Sequence, residues 1–453
     1  MSTKLKMLWP VPIQKIPFVL AFVLYLVIGK SCFALASPTD NDQSENSERP
    51  PNIVVILADD LGCCDLALYQ GWVKTPRIEE MAKKGMRFTD FHTNSSVCSP
   101  TRAAFLTGRY QQRVGIVDVI VGSREPDSGI PPSVPTLPRV FKDNGYATGL
   151  FGKWHCGYQD KYNPLHHGFD EFVGFLNGAT DYHRHGSWRV GLEKKNVEGY
   201  STHVITKRSV DFIKRNKDKP FFLYVSHAAV HNPYQTAEDT PDKRIKGENP
   251  NRINKKNRAK YKWMLEDLDR GVGKILDTLN ELNLQENTLV VFFSDNGAVG
   301  MCPKEFRNRR GGKFSHYEGG HRVPAIAMWP GKIKPGSESD KLIVGFDLFP
   351  TLTEIAGLSK NNPDHLDGKS FKAHLLEQKD FPDRDIFFGY EPKLGTAMRR
   401  GKWKMIVKEN RIQLFDLQKD PKEATNVADQ FPQVTKSMNA AILKFKKKVT
   451  PGS

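Results

Sequence analysis

Several short stretches of the chain are apolar almost without interruption and rich in β-branched and aromatic residues. They are Pro51-Asn-Ile-Val-Val-Ile-Leu-Ala58, Gly145-Tyr-Ala-Thr-Gly-Leu-Phe-Gly152, Lys219-Pro-Phe-Phe-Leu-Tyr-Val-Ser226 and Thr288-Leu-Val-Val-Phe-Phe-Ser294. Strands buried on both faces read this way, so the pattern predicts a parallel sheet. Gly85 to Phe91 reads as a further strand. Between these runs the period changes to that of helices. Thr75 to Ala82 starts with Pro76 in its first turn, and Cys98 opens a second helix, with Pro100 placed where its missing N–H costs nothing. Asn249 to Arg270 is rich in Lys, Arg and Asn. From Tyr261 to Leu279 apolar residues recur at helical spacing, which predicts a long helix with a solvated basic face. Asp347 to Gly357 reads as a helix that ends at its glycine. Residues 157 to 200 read as loop, with His166 and His167 structural. After about residue 375 come short strands with hairpin turns (385–390, 395–407, 412–417) and an amphipathic helix from Val434 to Lys447. No internal repeat is found. The expected fold class is α/β, with a large sheet and a smaller C-terminal α+β domain.

The N-terminus follows a different rule. Lys4, Lys6 and Lys15 precede an apolar run from Pro17 to Ile28, and Ala34-Leu35-Ala36 offers a cleavage site. That is the layout of a secretory signal peptide, with an uncleaved anchor as the alternative. The expected division is a signal peptide at 1–36, a flexible polar lead-in at 37–50, a catalytic domain at 51–375 and a C-terminal subdomain at 376–453. The product would be secreted, periplasmic or otherwise exported, with no stable membrane insertion once the signal is cleaved.

Of 453 residues, 67 are basic and 51 acidic, a net charge of +16. The first 36 carry four lysines and no acid, which leaves +12 for the rest. No arginine–aromatic repeat or nucleic-acid module accompanies the charge, so an anionic small molecule or glycan is the expected partner and not a nucleic acid, with a basic but uninvolved surface the alternative for most of these charges. Removing Cys32 with the leader leaves Cys63, Cys64, Cys98, Cys156 and Cys302, an odd number that does not read as a disulfide framework. One or two bridges stay open among the four other than Cys98, with packing the default for Cys63 and Cys64.

Chemistry collects at the ends of the strands. The first run stops at Asp59-Asp60 and the last at Asp295-Asn296. Open α/β sheets bind ligands at such C-terminal strand ends. Adjacent carboxylates repel, and a cation compensates them. Asp59, Asp60, Asp295 and Asn296 make an oxygen-only set that suits Ca²⁺ or Mg²⁺ and argues against zinc. The second run leads to Lys153-Trp154-His155, where Lys153 and His155 share a face of an extended segment and suit sulfate binding and proton transfer. The third leads to His227-Ala-Ala-Val-His231-Asn-Pro233. Gly311-Gly312-Lys313 and Tyr317-Glu-Gly-Gly320 follow the fourth. Asp181, His183 and His185 are pocket-wall candidates. Arg309, Arg310 and His316 could be substrate contacts, with solvated charge the simpler reading. The Asn94-Ser95-Ser96 sequon reads as loop and not as a glycan acceptor.

The helix opened by Cys98 begins Cys98-Ser99-Pro100-Thr101-Arg102 and runs to Thr107-Gly108. A side chain at a helix N-terminus meets unpaired N–H groups and the positive end of the dipole. All of Ser96 to Gly108 resembles the activation signature of the type I sulfatases, and the Lys153/His155, His231, Asp295/Asn296 and Lys313 segments resemble further signatures of that family in order. The resemblance spans about residues 50 to 430. Phe151 departs from the smaller residue usual in the family, and Val230 from a frequent proline. The resemblance implies the sandwich of the alkaline phosphatase superfamily. It implies oxidation of Cys98 to Cα-formylglycine by a formylglycine-generating or equivalent maturation enzyme. It also implies a calcium site completed by that residue. For the remaining residues it implies Arg102 assisting ionisation at position 98, Lys153 and Lys313 on the sulfate, His231 protonating the departing alcohol and His155 taking a proton from position 98. The implied activity is hydrolysis of sulfate esters, of sulfated sugars or aryl sulfates. The alternatives are a phosphate or phosphonate monoester hydrolase of the same superfamily and a non-catalytic binder of sulfated glycans.

Overall fold

The computed structural model describes residues 49–239, 252–391 and 395–449. The signal peptide, most of the lead-in and residues 249–251 of the basic stretch lie outside them. Among the described residues a ten-stranded sheet runs in the order Ser337–Ser339, Met86–Phe88, Ala325–Met328, Thr288–Ser294, Asn52–Ala58, Phe221–Ser226, Ala147–Lys153, Glu171–Phe175, Trp188–Val190, Glu193–Lys194. The middle of the sheet, from Thr288–Ser294 to Glu171–Phe175, is parallel throughout. Antiparallel pairs flank it on either side. The sheet is therefore mixed, with its near-continuous apolar runs at the parallel centre.

Alternation along Asn52–Ala58 divides the interior. Val54, Ile56 and Ala58 face one core, packed with Ile205, Phe212, Met264 and Leu268 from the helices Ser201–Arg215 and Lys255–Glu281. Ile53, Val55 and Leu57 face another, packed with Phe105, Phe141 and Phe349 from Cys98–Thr107, Leu137–Asp143 and Leu348–Ile355. Every one of these strand residues is fully buried, and each large aliphatic side chain among them contributes about 1.5–3 kcal/mol. Phe151 packs edge-on to Phe212, so its larger side chain is a packing change.

A second sheet of four antiparallel strands joins Ile386–Glu391, Gly395–Arg400, Trp403–Lys408 and Arg411–Asp416, and the helix Pro432–Val449 packs on it. It shares a core with the main body, where Tyr110, Val344 and Phe346 meet Ile386, Phe388, Phe415 and Phe445. The expected boundary at 375/376 falls inside the short helix Lys372–Glu377. The stretch 157–200, expected to be loop, supplies Glu171–Phe175, Trp188–Val190 and Glu193–Lys194 to the edge of the large sheet. These strands are short and flanked by polar residues and glycines, so local pattern did not reveal them. The expected strand from Gly85 splits into Met86–Phe88 and Phe91–His92, which join different sheets. No helix among the described residues is long and apolar enough to cross a membrane.

Candidate active site

The carboxyl ends of the parallel strands Asn52–Ala58 and Thr288–Ser294 lie side by side, with Ala58 opposite Ser294. Their next residues, Asp59-Asp60 and Asp295-Asn296, therefore leave the sheet together. The Asp295 N–H donates to the Ala58 carbonyl at 3.1 Å, and the Asp60 N–H donates to Asp295 Oδ1 at 3.2 Å. Asp60 takes a left-handed backbone (φ 64°), a conformation unusual outside glycine that recurs at functional sites. The helix Cys98–Thr107 delivers the fifth group. Cys98 Sγ lies 3.7 Å from Asp59 Oδ1 and 3.4 Å from Asn296 Oδ1. One ligand atom from each of Asp59, Asp60, Cys98 and Asp295 falls within 4.8 Å of the others, and all four residues are buried.

Three basic side chains answer the three carboxylates. Lys153 Nζ contacts Asp59 Oδ2 at 2.6 Å, and Lys313 Nζ contacts Asp60 Oδ1 at 2.6 Å. Arg102 donates from Nε to Asp295 Oδ2 at 2.9 Å, and its Nη2 lies 2.8 Å from the same oxygen. Its Nη1 donates to Ser226 Oγ at 2.6 Å and to the Lys153 carbonyl at 3.1 Å. Ser226 in turn donates to that carbonyl at 2.6 Å. Ser226 thus fixes both Arg102 and the backbone of Lys153. Sequence reasoning passed over it, although a hydroxyl ending an otherwise apolar strand was the available signal.

The electrostatics follow from burial and these pairs. Burial, then repulsion from Asp295, raises the Asp59 carboxyl above its ordinary range. Burial works the same way on Asp60, but Lys313, His231 and Lys153 outweigh it and hold that carboxyl below the ordinary range. Burial pushes the Cys98 thiol up to about 12, against the pull of Lys153 and Lys313. As encoded, it is a neutral thiol. Burial, followed by Lys153 and Arg102, holds His155 well below the usual imidazole value, so its ring is neutral at neutral pH. His155 Nε2 lies 3.1 Å from the Ile120 carbonyl, which makes it the N–H nitrogen and leaves Nδ1 without a partner among the described residues. His155 also takes a left-handed backbone (φ 55°), and a Cβ at Gly178 would sit 2.5 Å from its ring. His231 Nδ1 lies 2.6 Å from the Asn232 carbonyl, while Nε2 lies 3.7 Å from Asp60 Oδ2 at the partly open side of the cluster. Tyr182, a second residue the sequence did not flag, donates its hydroxyl to the carbonyls of Ala228 at 2.7 Å and His231 at 2.9 Å and so steadies this turn.

The residues fit a hard cation. Asp60 Oδ2 is buried with no hydrogen-bond donor among the described residues, and the surrounding acceptors are carboxylate and amide oxygens. The structure brings together Asp59, Asp60, Cys98, Arg102, Lys153, His231, Asp295, Asn296 and Lys313, with His155 near enough to feel the charges of Lys153, Arg102 and Lys313. No hydrogen bond or ion pair among the described residues ties the pocket-wall candidates Asp181, His183 and His185 to the cluster. Asp181 caps the N–H groups of His183 and Arg184 at 2.9 Å, His183 bonds the Thr236 carbonyl, and His185 stacks on Trp188 at 4.2 Å. His316 is buried and bonds the Gly395 carbonyl at 3.0 Å, so it is not a solvated charge. Arg310 lies over the Tyr317 ring at 3.9 Å. His167 packs at a tilt against Trp154, with ring centroids 5.3 Å apart, and His227 is buried with neither ring nitrogen bonded among the described residues. Asn94 is fully buried, which removes the sequon as a surface acceptor. All five described cysteines are unbridged, with Cys64 and Cys302 close together beside Asp65.

Comparison with known proteins gives this geometry a family. The sequence model of the family Sulfatase matches residues 51–358, and that described as N-sulphoglucosamine sulphohydrolase, C-terminal, matches residues 312–448. The chain is 34% identical over 386 residues to N-acetylgalactosamine-6-sulfatase of Canis lupus familiaris, a match covering 79% of this chain and 71% of the relative. It is 32% identical over 399 residues to an arylsulfatase of Hemicentrotus pulcherrimus, covering 81% and 69%. The solved structure of Ps i-CgsB in complex with k-i-k-neocarrahexaose has a TM-score of 0.80 at 28% identity, covering 89% of this chain and 94% of that one. Matched over most of its length in sequence and in fold, the chain belongs to the sulfatase family and is a sulfuric ester hydrolase.

Proposed function

We propose that the chain releases sulfate from a sulfated saccharide at the cluster around Cys98, after that cysteine has been converted to Cα-formylglycine. One observation carries this reading. Three carboxylates and an amide converge on position 98 with Arg102, Lys153 and Lys313 packed against them, and all these side chains are buried or nearly so. Such an arrangement suits a divalent cation and an anionic substrate together. The sugar part of the reading is supported by a relative named for N-acetylgalactosamine-6-sulfate chemistry and by a neighbour solved with a neocarrahexaose.

Bound Ca²⁺, with Mg²⁺ the alternative, supplies positive charge beside position 98, and the formylglycine hydrate supplies a hydroxyl nucleophile there. Asp59, Asp60, Asp295 and Asn296 would hold the cation with residue 98 beside them. Arg102 orients Asp295 and adds a fixed charge that favours an anion at position 98. Lys153 and Lys313, which pair with Asp59 and Asp60, would turn their ammonium groups to the sulfate oxygens of a bound substrate. His231, its Nδ1–H turned to the Asn232 carbonyl, presents Nε2 at the cluster and, in its imidazolium form, gives the departing alcohol a proton from there. His155, neutral and with Nδ1 unpartnered among the described residues, accepts the proton from position 98. Cys98 is 1% exposed, so the maturation enzyme must reach it before the fold closes. The lysine-led apolar leader directs export, with a mature N-terminus expected at Ser37.

The test is a panel of position-specific sulfated sugars, an aryl sulfate and the matching phosphate esters, run on protein whose peptide across Cys98 has the mass of the aldehyde. Sulfate release from a sugar is expected to exceed phosphate release. No sulfate release from any member by formylated protein overturns the reading, as does an active preparation whose Cys98 stays a thiol. Faster phosphate or phosphonate release moves the chain to that chemistry.

A further inference from the structure

Beside the cluster lies a cavity of about 460 Å³ that shares Lys313 with it. Its walls come from the turns that follow the two acidic strand ends (Gly62 to Cys64 and Ala298 to Cys302) and from the segment Arg307 to Phe314. Four cations line it, Arg307, Arg309, Lys313 and Arg322, and no carboxylate among the described residues does. Three of the four are committed. Lys313 is held by Asp60, Arg322 by Asp90, Glu318 and the Thr89 carbonyl, and Arg307 by the carbonyls of Gly300 and Cys302. Arg309 is half-buried and makes no hydrogen bond or ion pair among the described residues. A guanidinium held in a wall of cations without a counter-charge is poised for an anion from outside.

Phe314 supplies the second observation. The residue is 58% exposed, while most large apolar residues among those described are buried. Its backbone is left-handed (φ 67°), a strained setting for a bulky residue. It is held there by its N–H, which donates to the Ser96 carbonyl just before Cys98 at 3.1 Å, and by the Lys313 N–H, which donates to the Ala298 carbonyl at 3.0 Å. The result is an exposed phenyl face fixed between the Cys98 loop and the cationic cavity.

We propose that this cavity binds a second anionic group of the substrate, a sulfate ester or carboxylate on the sugar neighbouring the one that is desulfated. Arg309 takes the charge and Phe314 the face of the sugar ring. The inference rests on the reading of the Cys98 cluster as a sulfated-saccharide site. It makes the preferred substrate a polyanionic saccharide rather than a singly sulfated one.

The experiment compares a monosulfated disaccharide with two derivatives, one bearing a second sulfate and one a uronic carboxylate on the adjacent sugar. In wild-type protein kcat/KM is expected to favour the doubly charged substrates. Arg309→Ala should lower that preference roughly tenfold, the size of one lost charge-assisted hydrogen bond, and Arg309→Lys should restore part of it. Phe314→Ala should raise KM for the disaccharides more than it changes kcat. The two derivatives distinguish sulfate from carboxylate as the bound group. Dissociation constants measured on Cys98→Ala protein with the same three sugars give the same ratio without turnover. An unchanged preference in Arg309→Ala, by rate and by binding, overturns the inference. If wild-type releases no sulfate yet Arg309→Ala still loses binding preference, the catalytic reading fails and the anion site stands.

Discussion

Cys98 shows how far a residue's surroundings reach beyond its type. A cysteine opening a helix beside an arginine reads locally as a low-pKa thiol. Burial instead pushes it up to about 12, where it is a poor nucleophile and a poor ligand at neutral pH. Cys98→Ala is expected to lower sulfate release by ~10³-fold or more while leaving thermal unfolding unchanged, checked by kinetics beside a melting curve. Arg102 is fully buried and spends its guanidinium on Asp295, Ser226 and the Lys153 carbonyl. A lysine cannot span those three acceptors, so Arg102→Lys should lower kcat by about 10²-fold and reduce bound metal, read by elemental analysis. His227 gives a pH prediction with a definite sign. Burial lowers its imidazole from 6.5 to about 4. Above pH 6.5 it is neutral folded or unfolded and contributes nothing. As pH falls from about 6.5 to about 4 the unfolded chain takes up a proton that the folded chain refuses, so stability is lost across that window. Denaturant unfolding followed from about pH 7 to about pH 4 should show a slope shallower by about one proton in His227→Phe.

At the scale of elements, the loops that follow the two acidic strand ends approach unusually closely. A Cβ at Gly62 would sit 2.6 Å from Ala298 Cβ and 2.8 Å from its nitrogen. Gly62→Ala must push the loop after Asp60 away from the loop after Asn296. Cation affinity is expected to fall about tenfold for this variant, measured by calcium titration, with the helices unaffected by circular dichroism. The same scale separates what was readable in the chain from what was not. The central strands were legible because burial on both faces leaves an uninterrupted apolar run, as in Ile53-Val54-Val55-Ile56-Leu57 or Leu289-Val290-Val291-Phe292-Phe293. Glu171–Phe175 was not, since a five-residue strand containing a glycine and preceded by a histidine-rich turn carries no period of its own. Its place is fixed by pairing with Ala147–Lys153, a long-range contact.

Across the whole molecule, the small sheet is tied to the main body by a buried charged network. Lys404 contacts Glu318 at 2.9 Å and His321 Nε2 at 2.8 Å, and Arg399 reaches both Glu318 and Asp90. All of these groups are buried, so removing one partner leaves others uncompensated. Lys404→Met is expected to destabilise the protein by about 3–5 kcal/mol, read from denaturant unfolding, without altering the residues around Cys98. The sequence by itself determined which residues stand at the strand ends. Residue type, adjacency and the position of each motif after an apolar run are local properties, and they named Asp59, Asp60, Lys153, His155, Asp295 and Asn296 as candidates, while Cys98, Arg102, His231 and Lys313 took their roles from the family resemblance. Only the tertiary structure decided which polar groups meet them. Ser226, Tyr182 and Gly178 act through contacts with residues far along the chain, while Asp181, His183, His185 and His316 spend their hydrogen bonds elsewhere. Such partnerships depend on distance and burial in the folded chain, and neither quantity is a property of a segment alone.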